Sequence, residues 1–262
     1  NLSMKDQEYA HHFVVVGGGA SGVELSAELA GYLKTIATNH HNKSIKITID
    51  LIEAGPNILS LMPIDYSNKV KQRLKSLGVN IVVNCAIVQE QLDTIYAKNS
   101  KLKTKTVIWT AGVKINHLYN NIKGLEINKD RRVKIDEYLK IVNNDNVFVI
   151  GDGASSQYSG MAQTAIDQGL TVANNINKLI NNKPLIPYTP KKTNYAIPVG
   201  KYWAGVMVGN IKIYGKLAWL IRRLVDLKYF MSILSFKKAI TVWQSGKTLT
   251  NICSICSKKS II

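Results

Sequence analysis

The sequence predicts an α/β fold built on a parallel sheet, and three observations support this prediction. A short β-branched run at residues 13–16 is followed by glycines at G-x-G-x-x-G spacing and then by a helical pattern of apolar residues. A second apolar run, at residues 45–52, comes after that helix and ends at an acidic residue. A third apolar run lies at residues 106–109. Strands that alternate with helices in this way form parallel sheets.

The glycine motif consists of Gly17, Gly19 and Gly22. In a dinucleotide-binding turn the first glycine allows the tight turn, the second lets a pyrophosphate approach the backbone, and the third lets the helix pack on the strand. The free N–H groups of the helix N-terminus then meet the phosphate charge. A glycine turn in another kind of strand-to-helix unit is the alternative, and the surrounding pattern favours dinucleotide binding.

Glu53 stands at the tip of the second predicted strand, where a carboxylate can accept hydrogen bonds from both ribose hydroxyls. It lies 31 residues after Gly22, more than the usual spacing of about 20. A long helix followed by a polar loop at residues 39–44 accounts for the excess. Because Glu53 would repel a 2′-phosphate, we expect NADH to be preferred over NADPH.

The net charge of +17 is concentrated near the C-terminus. Residues 183–262 hold 14 Lys and Arg and a single acid, Asp226, which gives +13. The first 182 residues hold 20 basic and 16 acidic residues, which gives +4. A basic segment of this kind suits an anionic surface, either phospholipid or nucleic acid.

Residues 216–228 form an amphipathic helical pattern within this basic segment. The aliphatic side is made by Leu217, Leu220, Ile221, Leu224, Val225 and Leu227. The pattern predicts a helix that lies in a membrane interface, with Arg222 and Arg223 near lipid phosphates. Packing on the chain's own domain or on a partner is the alternative.

The cysteines and the apolar runs restrict the class of protein further. Cys85, Cys253 and Cys256 are too few for a disulfide framework and indicate a reducing compartment. Cys253 and Cys256 form one C-x-x-C, but zinc would need a second ligand pair, so no metal site is predicted. Neither a signal peptide nor an uncharged apolar run of about 18 residues is visible.

The rest of the pattern completes the predicted architecture. The further elements expected are a helix at 63–77, a strand at 79–83, an antiparallel meander at 86–105, strands at 133–141 and 147–150, a helix at 161–180, a proline-rich linker and short strands at 195–214. In the helix at 161–180, Ile166, Val172 and Ile176 lie at helical spacing on an apolar side. Domain boundaries are predicted after residues 113 and 190.

With these pieces in order, the chain resembles the type II NADH dehydrogenases, which are single-subunit NADH:quinone oxidoreductases. The matching stretches lie at residues 14–30, 51–59, 107–113, 148–154 and 162–169. The resemblance implies a two-dinucleotide-binding-domain flavoprotein of α/β class. A Rossmann-like NADH-binding domain would occupy 10–113, the second half of the FAD-binding domain 114–190, and a basic amphipathic membrane-anchoring region 191–262.

The resemblance also implies roles for individual residues. Those implied in NADH binding are Gly17, Gly19, Gly22, Glu53 and Gly112. Those implied in FAD binding are Gly151, Asp152, Ala162 and Gln163, with Asp152 on the ribityl chain. The catalytic candidates, close to the flavin and the quinone, are Glu24, Gln163 and Gln168.

Plainer interpretations of four of these residues remain open. Asp152 also suits a cap for the turn after its strand, because Asp is common at such turns. Gln163 and Gln168 also suit a solvated helix surface, since Gln is a good helix former. Glu24 also suits the first turn of its helix, where the dipole favours any acid.

The chain departs from the family pattern at two places. Asp167 and Gln168 stand where the family commonly has paired glutamines. The family also begins with another glycine unit, which binds the FAD adenosine and pyrophosphate, and no such unit precedes residue 13. The start at Asn1 agrees with a fragment, and we expect the chain by itself to bind little FAD.

The function implied by the resemblance is electron transfer from NADH through FAD to a membrane quinone, without proton pumping. The implied location is peripheral, at the cytoplasmic face of the inner (cell) membrane, on an anionic lipid surface; a homodimer is left open. One alternative is a soluble NAD(P)H-dependent flavin disulfide reductase, against which the chain lacks a His-Pro pair. Another is a degenerate, non-catalytic NADH-binding fragment. No nucleic-acid-binding module is recognisable.

Overall fold

The structure, a computed structural model, describes residues 4–39, 46–97, 100–113 and 115–245 of the 262-residue chain. These residues form two compact units. Unit 1 combines the residues up to Ala111 with those from Tyr195 onward, and unit 2 comprises Gly112–Asn194. Cys253, Cys256 and most of the loop predicted at 39–44 lie outside the described residues.

The described elements follow one another in this order: α1 (Met4–Ala10), β1 (His12–Val16), α2 (Ala20–Asn39), β2 (Thr48–Ile52), α3 (Ile64–Ser76), β3 (Val79–Val82), β4 (Ile87–Gln91), β5 (Thr94–Ala97), β6 (Ser100–Lys103), β7 (Thr106–Trp109), α4 (Ala162–Ile180), β8 (Tyr195–Pro198), β9 (Ala204–Val208), β10 (Ile211–Gly215), α5 (Lys216–Ile233) and α6 (Phe236–Ser245). Short 3₁₀ turns lie at His117–Asn121 and Gly151–Gly153.

A four-stranded parallel sheet of order β3-β2-β1-β7 forms the centre of unit 1. Val16, the last residue of β1, lies opposite Ile52 of β2 and opposite Trp109 of β7, so the three strands end level at one edge. Val14 and Val15 are fully buried, as expected for a strand covered on both faces. The α/β prediction is confirmed, and β4, β5 and β6 form the predicted antiparallel meander.

An antiparallel sheet, β10-β9-β8, belongs to the same unit as the parallel sheet, whereas the sequence predicts a separate region at 191–262. Ile197, Val199 and Met207 join the hydrophobic core to which β1, β2, α2 and α3 each contribute residues. The buried Tyr66 hydroxyl of α3 donates to the carbonyl oxygen of Gly205, 2.7 Å away. The domain boundaries drawn from the sequence stay a prediction.

Helix α5 leaves most of its aliphatic side exposed and buries Ala218. The exposed fractions are 60% for Leu217, 46% for Leu220, and 51% for both Leu224 and Val225. Among the described helices, none combines the length and the apolar character needed to cross a bilayer.

The two arginines of α5 have partners within the protein, and their position near lipid phosphates stays a prediction. Arg222 pairs with Asp226 one turn later. The Arg223 guanidinium lies close to two indole rings, 4.5 Å from the centroid of Trp243 and 5.8 Å from that of Trp219. Arg223 also donates to the Trp243 carbonyl, and the Trp243 indole N–H donates to the Arg223 carbonyl at 2.6 Å. This cation–π and hydrogen-bond cluster fastens α6 to α5.

Unit 2 has less regular structure than predicted. The strands expected at 133–141 and 147–150 are absent from the described residues, which form isolated bridges there instead, such as that between Ile135 and Ile141. The cause is local turn chemistry: the Asp136 carboxylate accepts the amides of Tyr138 and Lys140, and Leu139 has a φ of 69°. These amides are therefore not available for the hydrogen bonds of a strand ladder.

Helix α4 is confirmed, but of the three residues named on its predicted apolar side it buries Val172 alone. Thr164, Gln168, Val172 and Asn175 are buried, whereas Ile166 and Ile176 are 39% and 43% exposed. Hydrogen bonds select this side. The Asn175 amide, for example, pairs with both the N–H and the C=O of Ile186, each at 2.9 Å.

A charged hydrogen-bond cluster lies at the edge of the parallel sheet where the strands begin. His12 Nδ1 lies 2.9 Å from the Lys103 carbonyl oxygen, and Nε2 lies 3.0 Å from Asp50 Oδ2. Because both partners accept, both ring nitrogens donate, which describes the imidazolium form. The Asp50 bond raises the pKa of His12 despite burial, and Glu8 adds a smaller attraction. Burial would raise the pKa of Asp50, but the bonds from His12 and Asn80 outweigh it and lower that pKa.

We expect this cluster to make the stability of unit 1 depend on pH. A histidine whose pKa is raised in the folded state contributes stability below its unfolded pKa of about 6.5, and this contribution is lost as pH rises through the folded value. Urea unfolding should therefore show a free energy of unfolding that falls between about pH 6 and pH 8. His12→Gln should remove the part of this decrease in the free energy of unfolding that comes from the histidine. Parallel profiles for parent and variant would contradict the assignment.

Candidate functional site

The glycine turn lies where β1 ends, at the edge opposite the His12 cluster. The Gly17 amide donates to the Ile52 carbonyl at 2.8 Å, and Gly17 has a φ of 112°, which L side chains rarely adopt. A Cβ placed on Gly22 would lie 1.9 Å from the Gly17 carbonyl oxygen. Both positions therefore require glycine, and together they bring the start of α2 against the end of β1.

Gly19 lies beside open space, since a Cβ placed there would meet nothing within 4 Å. The first hydrogen bond of α2 that reaches back into the turn runs from the Val23 amide to the Gly19 carbonyl, at 3.0 Å. The amides of the first turn of a helix point away from its body, toward the N-terminus. Open space beside Gly19, the residue that precedes α2, fits a phosphate group at this helix N-terminus.

The Glu53 carboxylate is held beside this turn by two backbone amides. Oε2 accepts from the Gly18 N–H at 2.6 Å, and Oε1 accepts from the Gly55 N–H at 2.7 Å. A carboxylate oxygen has two lone pairs, so each keeps one for a further donor. The Leu59 amide, 2.7 Å from the Gly18 carbonyl, fixes the same segment. The structure thus brings Gly17, Gly22 and Glu53 together.

Glu24 lies on α2, close after the glycine turn, and is partly buried. Loss of solvation raises the pKa of its carboxyl group, and the nearby positive charge of Arg222 offsets part of this rise. The arrangement gives Glu24 a basic neighbour on α5. A catalytic role for Glu24 stays a prediction.

In unit 2, Gln168 supports the Gly151–Gly153 turn. The Gly151 amide donates to Gln168 Oε1 at 2.7 Å, and Gln168 Nε2 donates to Ser156 Oγ at 2.7 Å. Gly151 has a φ of 66°, and the Gln168 side chain is fully buried. One end of the Gln168 amide thus holds the turn and the other holds Ser156, and the predicted approach of Gln168 to a quinone stays a prediction. These contacts indicate a positioning role.

The other predicted residues of unit 2 are exposed. Asp152 projects from the turn, and its backbone carbonyl accepts from Arg132 Nε at 3.1 Å. Ala162 and Gln163 begin α4, and Gln163 donates to Asp167 at 3.1 Å. Gly112, with a φ of 81°, is the first residue of unit 2. The roles given to these four residues stay predictions.

Two residues beside the glycine turn were missed from the sequence. Gly18 carries the amide that holds Glu53, and a Cβ there would meet Glu53 and Ile58 at 2.9 Å. The Thr110 hydroxyl donates to the carbonyls that lead into the turn. The position of Thr110 directly after a predicted strand that ends at the same sheet edge was the signal available.

Comparison with known proteins agrees with this geometry. A family model described as pyridine nucleotide-disulphide oxidoreductase matches residues 2–169. The chain belongs to this family. The matched residues include the glycine turn, Glu53, the Gly151–Gly153 turn and the first part of α4.

Two relatives within the family are similar to the chain over part of their length. The type II NADH:quinone oxidoreductase of Haemophilus influenzae is 33% identical over 183 residues, which cover 66% of this chain and 41% of the relative. The type II NADH:quinone oxidoreductase Ndh of Mycobacterium tuberculosis is 29% identical over 244 residues, which cover 87% of this chain and 52% of the relative. The chain thus spans about half the length of these curated relatives. They confirm the resemblance to type II NADH dehydrogenases.

A solved structure shares the fold. NDH2 from Plasmodium falciparum, in complex with NADH, superposes with a TM-score of 0.82 at 18% identity. The match covers 96% of this chain and 69% of that chain. At this identity the similarity establishes the fold alone.

Proposed function

We propose that the chain is part of an oxidoreductase that passes electrons from NADH through FAD to a membrane quinone, without proton pumping. The observation that carries the nucleotide part is the Glu53 carboxylate, fixed by the Gly18 and Gly55 amides beside the open space at Gly19. The names of the relatives support the reaction. They favour a quinone rather than a disulfide as the electron acceptor.

The residues of unit 1 fit NADH in two places. The pyrophosphate would lie at Gly19, facing the first amides of α2. The hydroxyls of the adenosine ribose would donate hydrogen bonds to the Glu53 carboxylate. Gly17 and Gly22 bring strand and helix close enough to form this site.

We expect Glu53→Gln to relax the choice between NADH and NADPH. The parent carboxylate would repel a 2′-phosphate, whereas the neutral amide would not, so NADPH should bind more tightly to the variant. Titration calorimetry with both nucleotides measures the ratio of affinities. Glu90→Gln, on the exposed side of β4, removes the same charge away from the turn and should leave the ratio unchanged. Equal affinity of the parent for both nucleotides would contradict the role of Glu53.

The residues of unit 2 fit one part of FAD. The exposed Asp152 carboxylate, on a turn held by Gln168, would bind the ribityl hydroxyls, and Gly151, Ala162 and Gln163 would lie beside the ring system. When bound, FAD supplies the redox chemistry, since it accepts a hydride and passes on electron pairs. In this scheme Gln163 and Gln168 would lie toward the quinone.

The exposed side of α5 supports a peripheral position on a membrane surface, which we propose is the cytoplasmic face of the inner membrane. Leu217, Leu220 and Leu224 form an exposed stripe at helical spacing. Phe236 and Val242 on α6 are also exposed, at 67% and 41%. The basic charge of the C-terminal segment, +13, fits an anionic lipid surface. A homodimer remains a hypothesis.

A further inference from the structure

Thr110 contacts the backbone of the glycine turn of unit 1. Its hydroxyl lies 2.9 Å from the Val16 carbonyl oxygen and 3.2 Å from that of Gly17, so one proton serves both acceptors. The Thr110 amide also donates to the Val16 carbonyl, at 2.8 Å. The backbone and the side chain of one residue thus hold the two carbonyls that lead into the turn.

The hydroxyl also occupies the point where two glycines approach each other. A Cβ placed on Gly17 would lie 2.9 Å from Thr110 Oγ1, and one placed on Gly22 would lie 2.8 Å from it. The hydroxyl therefore fits closely into the space that the missing side chains leave. A methyl group in its place could not bind the carbonyls and would repel them from this position.

The bond to Gly17 extends to Glu53 through a single peptide group. The Gly17 carbonyl and the Gly18 N–H belong to the same planar unit, so fixing the direction of one fixes the other. The Gly18 N–H is the donor that binds Glu53 Oε2 at 2.6 Å. Thr110, the 17–18 peptide and Glu53 thus form one continuous chain of hydrogen bonds.

We propose that Thr110 is a positioning residue for the dinucleotide, which sets both the direction of the turn amides toward the pyrophosphate and the position of the Glu53 carboxylate at the ribose. The inference rests on the proposed binding of NADH at this turn. It predicts that loss of the Thr110 hydroxyl affects nucleotide selectivity as well as affinity, because the same peptide group controls both.

Thr104 offers a matched control at the other end of the same strand. Thr104 is buried, and its hydroxyl donates a 2.6 Å hydrogen bond to the carbonyl oxygen of His12, the first residue of β1. Thr104→Val therefore removes a threonine hydroxyl from a β1 carbonyl far from the glycine turn. It tests whether a general loosening of the sheet is enough to weaken binding.

The experiment compares Thr110→Val, Thr110→Ser and Thr104→Val by calorimetric titration with NADH and NADPH, together with thermal unfolding. Thr110→Val should weaken NADH binding by roughly three- to tenfold, the value of one hydrogen bond, and lower the preference for NADH over NADPH. Thr110→Ser should restore both. Thr104→Val should lower the unfolding temperature at least as much and bind both nucleotides as the parent does.

Several results would overturn the inference. Parental affinity and selectivity in Thr110→Val would remove the positioning role and leave the proposed function intact, as would equal weakening in Thr104→Val. A parent that binds no NADH would instead overturn the proposed function, and the inference with it. Should Thr110→Val fail to fold, Thr110→Ala removes the hydroxyl without placing a methyl group against the carbonyls, and the same comparison applies.

Discussion

Gly22→Ala should lower the thermal unfolding temperature of unit 1 by about 10 °C or more and abolish NADH binding. The new Cβ would lie 1.9 Å from the Gly17 carbonyl oxygen, which belongs to the backbone and cannot turn away as a flexible side chain can. Strand β1 and helix α2 would have to separate. Because the parallel sheet and α2 share one core, the cost of this separation falls on the whole unit.

Gly19→Ala is expected to give the opposite combination. A Cβ there meets nothing within 4 Å, so the unfolding temperature should change little. The same Cβ would occupy the space assigned to the pyrophosphate, so NADH affinity should fall at least roughly tenfold. Gly31→Ala, on the exposed part of α2, is the control: it should raise stability by about 0.5–1 kcal/mol and leave binding unchanged.

Calorimetric titration and thermal unfolding of the three glycine variants separate the two effects. A Gly22→Ala protein that unfolds at the parental temperature would show that β1 and α2 are not packed as described. Parental NADH affinity in Gly19→Ala would move the pyrophosphate away from this turn.

Replacing Leu220 and Leu224 together by Asp should release the protein from anionic vesicles. Burying one leucine side chain contributes about 1.5–3 kcal/mol, so the partition coefficient of the double variant should fall by at least about a hundredfold. Binding of the parent should weaken in salt without disappearing, because basic residues contribute about 1 kcal/mol each near an anionic surface and this attraction is screened. Flotation with liposomes measures both effects.

The β4 hairpin provides the matched control for this experiment. Val88 and Leu92 are 66% and 93% exposed, and their replacement by Asp adds the same charge to the same unit. That variant should float with vesicles as the parent does. Both double variants should keep NADH binding, since the altered side chains are exposed. If the Leu220/Leu224 variant still floats, or the parent never does, α5 does not bind lipid.

Local sequence patterns were sufficient to predict the sheet, the glycine turn and the place of Glu53. The reason is that each depends on a few neighbouring residues: a β-branched strand, glycines where no Cβ fits, and an acid at the end of the next strand. Glu53 was found despite its unusual distance from Gly22, since the strand end, and not the spacing, determines its position.

The remaining differences arise where partners distant in the chain decide the outcome. Helical periodicity showed which side of α4 is apolar, but the hydrogen bonds of Gln168 and Asn175 decide which side is covered. Arg222 and Arg223 were predicted to lie near lipid phosphates. One of the two indole rings near Arg223 is that of Trp243 on α6, and no periodicity within α5 could reveal it.

The discontinuous composition of unit 1 has a consequence for its synthesis. Ile197, Val199 and Met207 close a core whose other members lie before Ala111, so a nascent chain cannot complete that core until β8 and β9 have left the ribosome. Until then, Val15 and its neighbours in the parallel sheet are incompletely covered. Such a delay is typical of folds dominated by contacts between residues distant in sequence. Helix α5 is made immediately afterwards. The exposed leucines of α5 are thus synthesised when unit 1 can complete its hydrophobic core. A chain terminated before Tyr195 could not complete that core and would remain a substrate for chaperones and proteases.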